Sequence, residues 1–131
     1  MTDQKKILVV DDDPDQLEQV TILLKGSGYE VVAAPSRAEA EELLLLHHPD
    51  LAVLDLMMEE MDSGFVLCHE VKRLYPGTPV ILLTAVAAAT GMDLRDGATG
   101  ARSWVGADLL LDKPVRPEQL RLQVSRLLEA R

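Results

Sequence analysis

Five short runs of aliphatic residues divide the chain, and most of them are unbroken rather than alternating between apolar and polar positions. A strand that is apolar on both sides is buried on both faces, which is typical of a parallel sheet covered by helices. Most of these runs end at or just before an acidic, hydroxyl or basic residue. We predict five strands, at Lys6–Val10, Tyr29–Ala34, Leu51–Asp55, Pro79–Thr84 and Asp108–Leu111.

The segments between these strands repeat their apolar residues every three or four positions, the spacing of a helix with one buried face. Asp13 is a predicted N-cap, with Pro14 at the first helical position and Gln16 at the spacing of a capping box. A second helix is expected after Ser36, which has Glu39 three positions on. Helices are predicted from 14 to the Gly26-Ser27-Gly28 cluster, from 37 to 46 or 47, from 63 to 74 or 75, within 92–105, and from about 117 to 130.

Strands that alternate with helices along the chain predict an α/β fold in which a parallel sheet is covered on both faces. Right-handed crossovers and the usual doubly wound arrangement give the flavodoxin-like strand order 2-1-3-4-5 with five helices. The length of 131 residues is that of one domain, and the sequence contains no internal repeat or low-complexity linker. We therefore expect a single domain over residues 1–131.

The composition limits what such a domain would bind. The formal net charge is −9 at pH 7, which argues against direct contact with nucleic acid or with an anionic membrane surface. Cys68 is the single cysteine, so no disulfide can form within the chain. No apolar run approaches the roughly 18 residues of a membrane-spanning helix, and the N-terminus lacks the apolar segment of a signal peptide. The expectation is a soluble cytoplasmic domain.

Charged and polar side chains gather at the carboxyl ends of four predicted strands. Asp11 and Asp12 follow the first strand, Asp55 ends the third, Thr84 ends the fourth, and Lys113 follows the fifth. The ends of parallel strands meet at one edge, where α/β folds build their sites. Three carboxylates at one edge would repel one another unless a hard cation such as Mg²⁺ neutralised them. A carboxylate beside a metal can accept a phosphoryl group as an acyl phosphate, with a lysine and a hydroxyl stabilising the phosphoryl oxygens.

Four short motifs carry a resemblance to a known family: Val10-Asp11-Asp12-Asp13-Pro14, Asp55-Leu56-Met57-Met58, Thr84-Ala85 and Lys113-Pro114. At these spacings, the combination resembles the receiver domain of two-component response regulators over essentially the whole chain. The resemblance implies a stand-alone phosphoacceptor domain, which catalyses its own phosphorylation and dephosphorylation but is not otherwise an enzyme.

The resemblance also assigns roles to individual residues. It implies that Asp55 takes a phosphoryl group from the phosphohistidine of a sensor histidine kinase or a phosphotransfer protein. Asp11 and Asp12, together with Asp55 and the backbone carbonyl of Met57, would hold Mg²⁺. The phosphoryl oxygens would be bound by the remaining members of the set, Thr84 and Lys113. Phosphorylation would then be read by a downstream effector protein or by formation of a homodimer.

Three positions depart from the pattern of that family. Leu110 stands three residues before the lysine, where receivers usually carry Tyr or Phe, so the family's inward swing of an aromatic ring is not available here. Thr84 and Lys113 are 29 positions apart, several more than is usual, which displaces or lengthens the predicted fourth helix. Glu59 stands where a proline commonly lies, and it adds a carboxylate near the site.

Alternatives stay open on the sequence alone. The chain is compatible with an interaction-only pseudo-receiver, or with the receiver part of a longer regulator or hybrid kinase. A metal-dependent phosphatase with an aspartyl intermediate needs a second carboxylate two residues beyond the nucleophile, where Met57 stands. Adjacent His47 and His48 point to different faces and cannot share one metal from a helix. Cys68 is predicted to be a core residue, and Trp104 fits either packing or a partner contact.

Overall fold

The computed structural model describes residues 4–55, 63–84, 107–113 and 115–129. These residues form five strands, β1 (Lys6–Val10), β2 (Glu30–Ala34), β3 (Leu51–Asp55), β4 (Val80–Thr84) and β5 (Leu109–Asp112). They also form four helices, α1 (Pro14–Gly26), α2 (Arg37–Leu46), α3 (Ser63–Leu74) and α4 (Pro117–Glu129). The helix predicted within 92–105 lies outside the described residues. Across the described ranges, no helix has both the length and the apolar character needed to cross a membrane.

The five strands form one parallel sheet in the order β2-β1-β3-β4-β5, which confirms the predicted doubly wound arrangement. The register pairs Val10 at the end of β1 with Leu54 of β3. It pairs Asp55 at the end of β3 with Leu83 of β4. The carboxyl ends of the strands therefore lie side by side at one edge of the sheet.

Successive residues of each central strand enter two different apolar clusters, one on each face of the sheet. On one face, Leu54 packs with residues of α2 and α3, among them Leu44. On the other face, its neighbour Val53 packs with residues of α1 and α4, among them Leu24 and Leu120. Burying one such side chain stabilises the fold by about 1.5–3 kcal/mol. Helices on both faces explain why the strands are apolar on both sides, and they leave the strand ends as the place for polar chemistry.

The first two helices begin at the capping residues that the sequence predicts. The Asp13 carboxylate accepts hydrogen bonds from the backbone amides of Asp15, at 2.9 Å, and Gln16, at 3.3 Å. The Ser36 hydroxyl likewise accepts from the amide of Glu39 at 3.2 Å. Each cap satisfies helical amides that have no partner within the helix, and replacing it by alanine typically costs about 1 kcal/mol.

Strands β2, β4 and β5 each begin one residue later than predicted, and for β2 and β4 the backbone hydrogen bonding gives the reason. The amide of Tyr29 donates back to the end of α1. Pro79 has no amide hydrogen for a sheet ladder. Asp108 precedes β5, where its carboxylate accepts from the Val80 amide and from the Lys72 ammonium, both at 2.8 Å. β5 in turn extends one residue further than predicted.

Candidate functional site

The strand ends bring the residues singled out by the sequence to one edge of the sheet. Asp55 is the last residue of β3 and Thr84 the last of β4, while Asp11 and Asp12 follow β1 and Lys113 follows β5. Asp11, Asp55 and Thr84 are 3%, 4% and 1% exposed, so all three are buried. Asp12 is exposed to solvent. The edge therefore presents two buried carboxylates, one exposed carboxylate, a hydroxyl and an ammonium.

Lys113 contacts two of the carboxylates. Its Nζ atom lies 3.1 Å from Asp55 Oδ1 and 3.5 Å from Asp11 Oδ2. Its backbone amide donates to the carbonyl oxygen of Thr84 at 3.0 Å, which holds the ends of β4 and β5 together. The lysine side chain is only 21% exposed, so water screens these charges less than it would at an open surface.

The three carboxylates form a compact acidic group. Asp11, Asp12 and Asp55 each offer an oxygen, and these oxygens all lie within 4.8 Å of one another. Burial, and then the negative charge of Asp11, raise the pKa of Asp55 from 3.8 to about 6, while the hydrogen bond and charge of Lys113 act in the opposite direction. The raised pKa means that burial and the neighbouring carboxylate disfavour the ionised form of Asp55. A cation placed among these carboxylates would favour that ionised form.

The acidic group fits Mg²⁺ in its donor chemistry. This ion takes carboxylate oxygens, keeps several waters in an octahedral shell, and exchanges waters for phosphate oxygens. Asp12 lies on the exposed side of the group, where such waters would have room. The fourth predicted contributor, the carbonyl of Met57, lies outside the described residues. The assignment of the three aspartates as metal ligands stays a prediction that their mutual distances support.

Asp11 is held at both of its carboxylate oxygens. Oδ1 accepts a hydrogen bond from the backbone amide of Asp13 at 2.9 Å, and Oδ2 faces Lys113. In a capping box, the backbone amide of Asp13 would donate to the side chain of Gln16. In this structure the amide donates to Asp11 instead. An aspartate two positions before an N-cap can close such a turn with its side chain. The three consecutive aspartates carried that signal, which the sequence analysis missed.

A cavity of about 740 Å³ opens beside Lys113, between α1 and α4. Its walls include Gln16 and Ile22 of α1, Lys113 itself, and Pro117 at the start of α4. Ile22 is 62% exposed, which is high for a large apolar side chain. Lys113 therefore lines this cavity and also contacts Asp55 and Asp11 of the acidic group. No local sequence pattern indicates this surface, because it forms between two helices that lie far apart along the chain.

The two adjacent histidines and the cysteine that the sequence singled out lie in the framework of the fold and not at the acidic group. His47 is the C-cap of α2, and the ring of His48 stacks on Tyr75 with ring centroids 4.1 Å apart. Cys68 is fully buried, which confirms it as a core residue. Burial raises the pKa of its thiol to about 11, so it is a poor nucleophile near neutral pH. Trp104 lies outside the described residues, as does the predicted departure at Glu59.

The chain is similar in sequence to known proteins. The chain matches the family model for the response regulator receiver domain over residues 7–125. It is 37% identical over 119 residues to the DNA-binding response regulator MtrA of Mycolicibacterium smegmatis. That alignment covers 91% of this chain and 48% of MtrA, so the chain spans about half the length of this relative.

Solved structures agree with the sequence matches. A response regulator receiver domain protein from Methanospirillum hungatei has a TM-score of 0.84 at 28% identity, with 98% of this chain and 96% of that one covered. The response regulator protein TrrA from Thermotoga maritima, solved in complex with Mg²⁺-BeF, has a TM-score of 0.77 at 29% identity, with 95% and 99% covered. The sheet order and these matches establish that the chain belongs to the response regulator receiver domain family.

Proposed function

We propose that Asp55 accepts a phosphoryl group with Mg²⁺ as the cofactor, and that the phosphorylated domain is read by a partner in a two-component system. The observation that carries the proposal is the position of Lys113 Nζ, 3.1 Å from Asp55 Oδ1, next to carboxylate oxygens that lie within 4.8 Å of one another. Aspartyl phosphate formation needs a nucleophilic carboxylate, oxygen ligands for a metal, and positive charge for the phosphoryl oxygens. These residues offer all three.

The transfer forms one bond and breaks one. An oxygen of Asp55 bonds to phosphorus while the phosphorus–nitrogen bond of a donor phosphohistidine breaks. The electron pair of the broken bond returns to the imidazole, which takes up a proton. Lys113 binds a phosphoryl oxygen with its ammonium, and the Thr84 hydroxyl donates a hydrogen bond to another. Mg²⁺, when bound, supplies further positive charge to the phosphoryl oxygens.

The donor is proposed to be a sensor histidine kinase or a phosphotransfer protein, as membership of the family implies. We propose that the donor protein docks at the cavity between α1 and α4, since Lys113 lies both in the cavity wall and beside Asp55. The cavity wall combines the exposed apolar side chain of Ile22 with the polar side chains of Gln16 and Lys113. Surfaces of this composition are typical of protein–protein contacts.

The partner that reads the phosphorylated state is proposed to be another protein or another part of a longer chain. MtrA, which is about twice as long as this chain, is named as a DNA-binding regulator. The net charge of −9 on the present chain favours an output that is protein rather than DNA. Three further expectations stay predictions: that these residues do not contact nucleic acid, that the protein forms a homodimer, and that residues 1–131 form a single domain.

Incubation with acetyl phosphate and Mg²⁺, followed by intact mass measurement, tests the proposal. The wild type should gain the mass of one phosphoryl group, and Asp55→Asn should gain none. Asp15→Asn is the matched control, because Asp15 is an exposed carboxylate in the first turn of α1, and it should react like the wild type. A wild type that gains no phosphoryl group would overturn the proposal in favour of an interaction-only domain.

A further inference from the structure

We propose that Asp13 is a positioning residue for the magnesium site, acting through its place at the start of α1 and not as a metal ligand. The inference rests on the proposed function, since it concerns the Mg²⁺ that Asp11 and Asp12 would hold. It separates three consecutive aspartates into three roles: a buried ligand, an exposed ligand, and a cap that orients the first of them.

The side chain of Asp13 binds the first amides of α1. Its Oδ1 accepts from the amides of Asp15 at 2.9 Å and Gln16 at 3.3 Å. Its carbonyl oxygen accepts from the amide of Leu17 at 2.9 Å. The backbone at Asp13 has φ −87° and ψ 112°, the extended conformation of an N-cap. Among the described residues, the acidic group that could hold a cation excludes Asp13.

The backbone amide of Asp13 makes the contact with the site. It donates to Asp11 Oδ1 at 2.9 Å, which fixes the rotation of a carboxylate that is only 3% exposed. With Oδ1 fixed, Oδ2 of the same carboxylate is directed at Lys113 Nζ, 3.5 Å away. Asp11 thus depends on Asp13 for the orientation in which it faces the other carboxylates.

Two consecutive turns are each closed by an aspartate carboxylate that accepts a hydrogen bond from a backbone amide. Asp11 accepts from the amide two residues on, and Asp13 accepts from the amide two residues on in its turn. The second turn supports the first, because the cap holds the Asp13 backbone in the extended conformation that aims its amide at Asp11. Losing the cap would release that amide and let the Asp11 carboxylate rotate.

The expected size of the effect follows from other metal sites. Groups that orient a ligand without touching the metal typically change metal affinity by about 10–100-fold when they are removed. Asp13→Ala removes the cap, and we expect it to raise the dissociation constant for Mg²⁺ about tenfold. Phosphorylation by acetyl phosphate at low Mg²⁺ should slow accordingly, and excess Mg²⁺ should restore it.

A purely electrostatic role makes a different prediction. The carboxylate of Asp13 adds negative charge near the site, and its loss would weaken Mg²⁺ binding whatever replaced it. Asp13→Asn removes that charge and keeps the cap, since Asn caps helices about as well as Asp. The Asn variant should therefore bind Mg²⁺ like the wild type if position matters, and like the Ala variant if charge matters.

Isothermal titration calorimetry with Mg²⁺ on the full chain separates these outcomes. The expected result is weak binding by Asp13→Ala and Asp13→Gly, and wild-type binding by Asp13→Asn. The Gly variant tolerates loss of the cap better than Ala, so it keeps the test available if the Ala variant does not fold. Ser36→Ala is the matched control, because it removes the cap of α2, and it should leave Mg²⁺ binding unchanged.

The inference is overturned if Asp13→Asn binds as weakly as Asp13→Ala, or if Asp13→Ala and Asp13→Gly bind like the wild type. Either result, with a wild type that binds Mg²⁺ and is phosphorylated, leaves the proposed function standing. A wild type that binds no Mg²⁺ overturns the metal role in the proposed function together with this inference.

Discussion

Lys113 Nζ lies 3.1 Å from Asp55 Oδ1, although their strands β3 and β5 are not neighbours in the sheet. Strand β4 runs between them, and the two side chains meet across its end, where Thr84 accepts a hydrogen bond from the Lys113 amide. Under the proposed function, the acceptor carboxylate and a cation for the phosphoryl oxygens are thus in contact before a donor arrives. Charges fixed in place in this way need no rearrangement during the reaction, which is how preorganised sites lower barriers.

Lys113→Met removes the ammonium and keeps an unbranched side chain. We expect phosphorylation by acetyl phosphate to slow about a hundredfold, the typical effect of losing one preorganised group that stabilises transition-state charge. The pKa of Asp55 should also rise, since Lys113 lowers it by hydrogen bonding and charge. Lys25→Met is the control, because Lys25 is exposed in the last turn of α1. Equal rates for Lys113→Met and Lys25→Met would show that Lys113 takes no part.

The raised pKa of Asp55 predicts that the contribution of this residue to the stability of the metal-free protein falls as the pH rises. The pKa is about 6 in the folded protein against 3.8 for the free side chain. Between about pH 4 and 6, Asp55 therefore binds its proton more fully in the folded state than in the unfolded state, so its contribution to stability falls as the pH rises through this window. The total loss is on the order of 3 kcal/mol, and it persists at higher pH.

Asp55→Asn should remove that penalty. Denaturant titrations in EDTA should find the variant more stable than the wild type at neutral pH, with the difference narrowing as the pH falls towards 4. A difference that is constant across this range would contradict the raised pKa of Asp55.

Asp12→Asn tests the exposed carboxylate. Because Asp12 lies at the surface, the variant should differ from the wild type by no more than about 0.5 kcal/mol in EDTA. Mg²⁺ at a hundred times its dissociation constant should stabilise the wild type by about 2.7 kcal/mol, and the variant much less. Thermal unfolding with and without Mg²⁺ measures both quantities, with Asp15→Asn as the control that keeps the full shift. An unchanged Mg²⁺ shift in Asp12→Asn would remove Asp12 from the ligand set.

Leu110→Ala tests the position where receivers usually carry an aromatic residue. Leu110 is 5% exposed and belongs to the cluster that contains Leu54 and Leu82, so it is a core residue in this structure. We expect Leu110→Ala to lower the free energy of unfolding by about 2–5 kcal/mol. Leu46→Ala is the control, because Leu46 is 76% exposed, and it should change stability by less than about 0.5 kcal/mol. A similar small change for both would mean that Leu110 does not support the core.

The sheet could be predicted because its strands are buried on both faces and leave continuous aliphatic runs in the sequence. The same logic located Asp55 and Thr84, since a polar residue at the end of such a run has no place in the core. Caps were equally readable, because Asp13 and Ser36 combine a preferred residue type with the correct spacing. Each of these features depends on neighbours along the chain.

Features that depend on contacts between distant segments could not be predicted. One example is Asp108, whose carboxylate accepts hydrogen bonds from Val80 and Lys72 in two other elements. The Asp13 amide is a different case, because its partner Asp11 lies only two positions away and the run of aspartates carried that signal locally. The distance from Lys113 to Asp55 depends on how three strands align, which no local pattern specifies.

The central claim is that the phosphoryl group is carried by Asp55. Borohydride reduces an aspartyl phosphate to homoserine, which marks the modified residue through proteolysis and peptide sequencing by mass. After treatment with acetyl phosphate and Mg²⁺, we expect homoserine at position 55 and unmodified aspartate at positions 11 and 12. Homoserine at Asp11 or Asp12 instead, or at no position in a protein that has gained a phosphoryl group, would contradict the account.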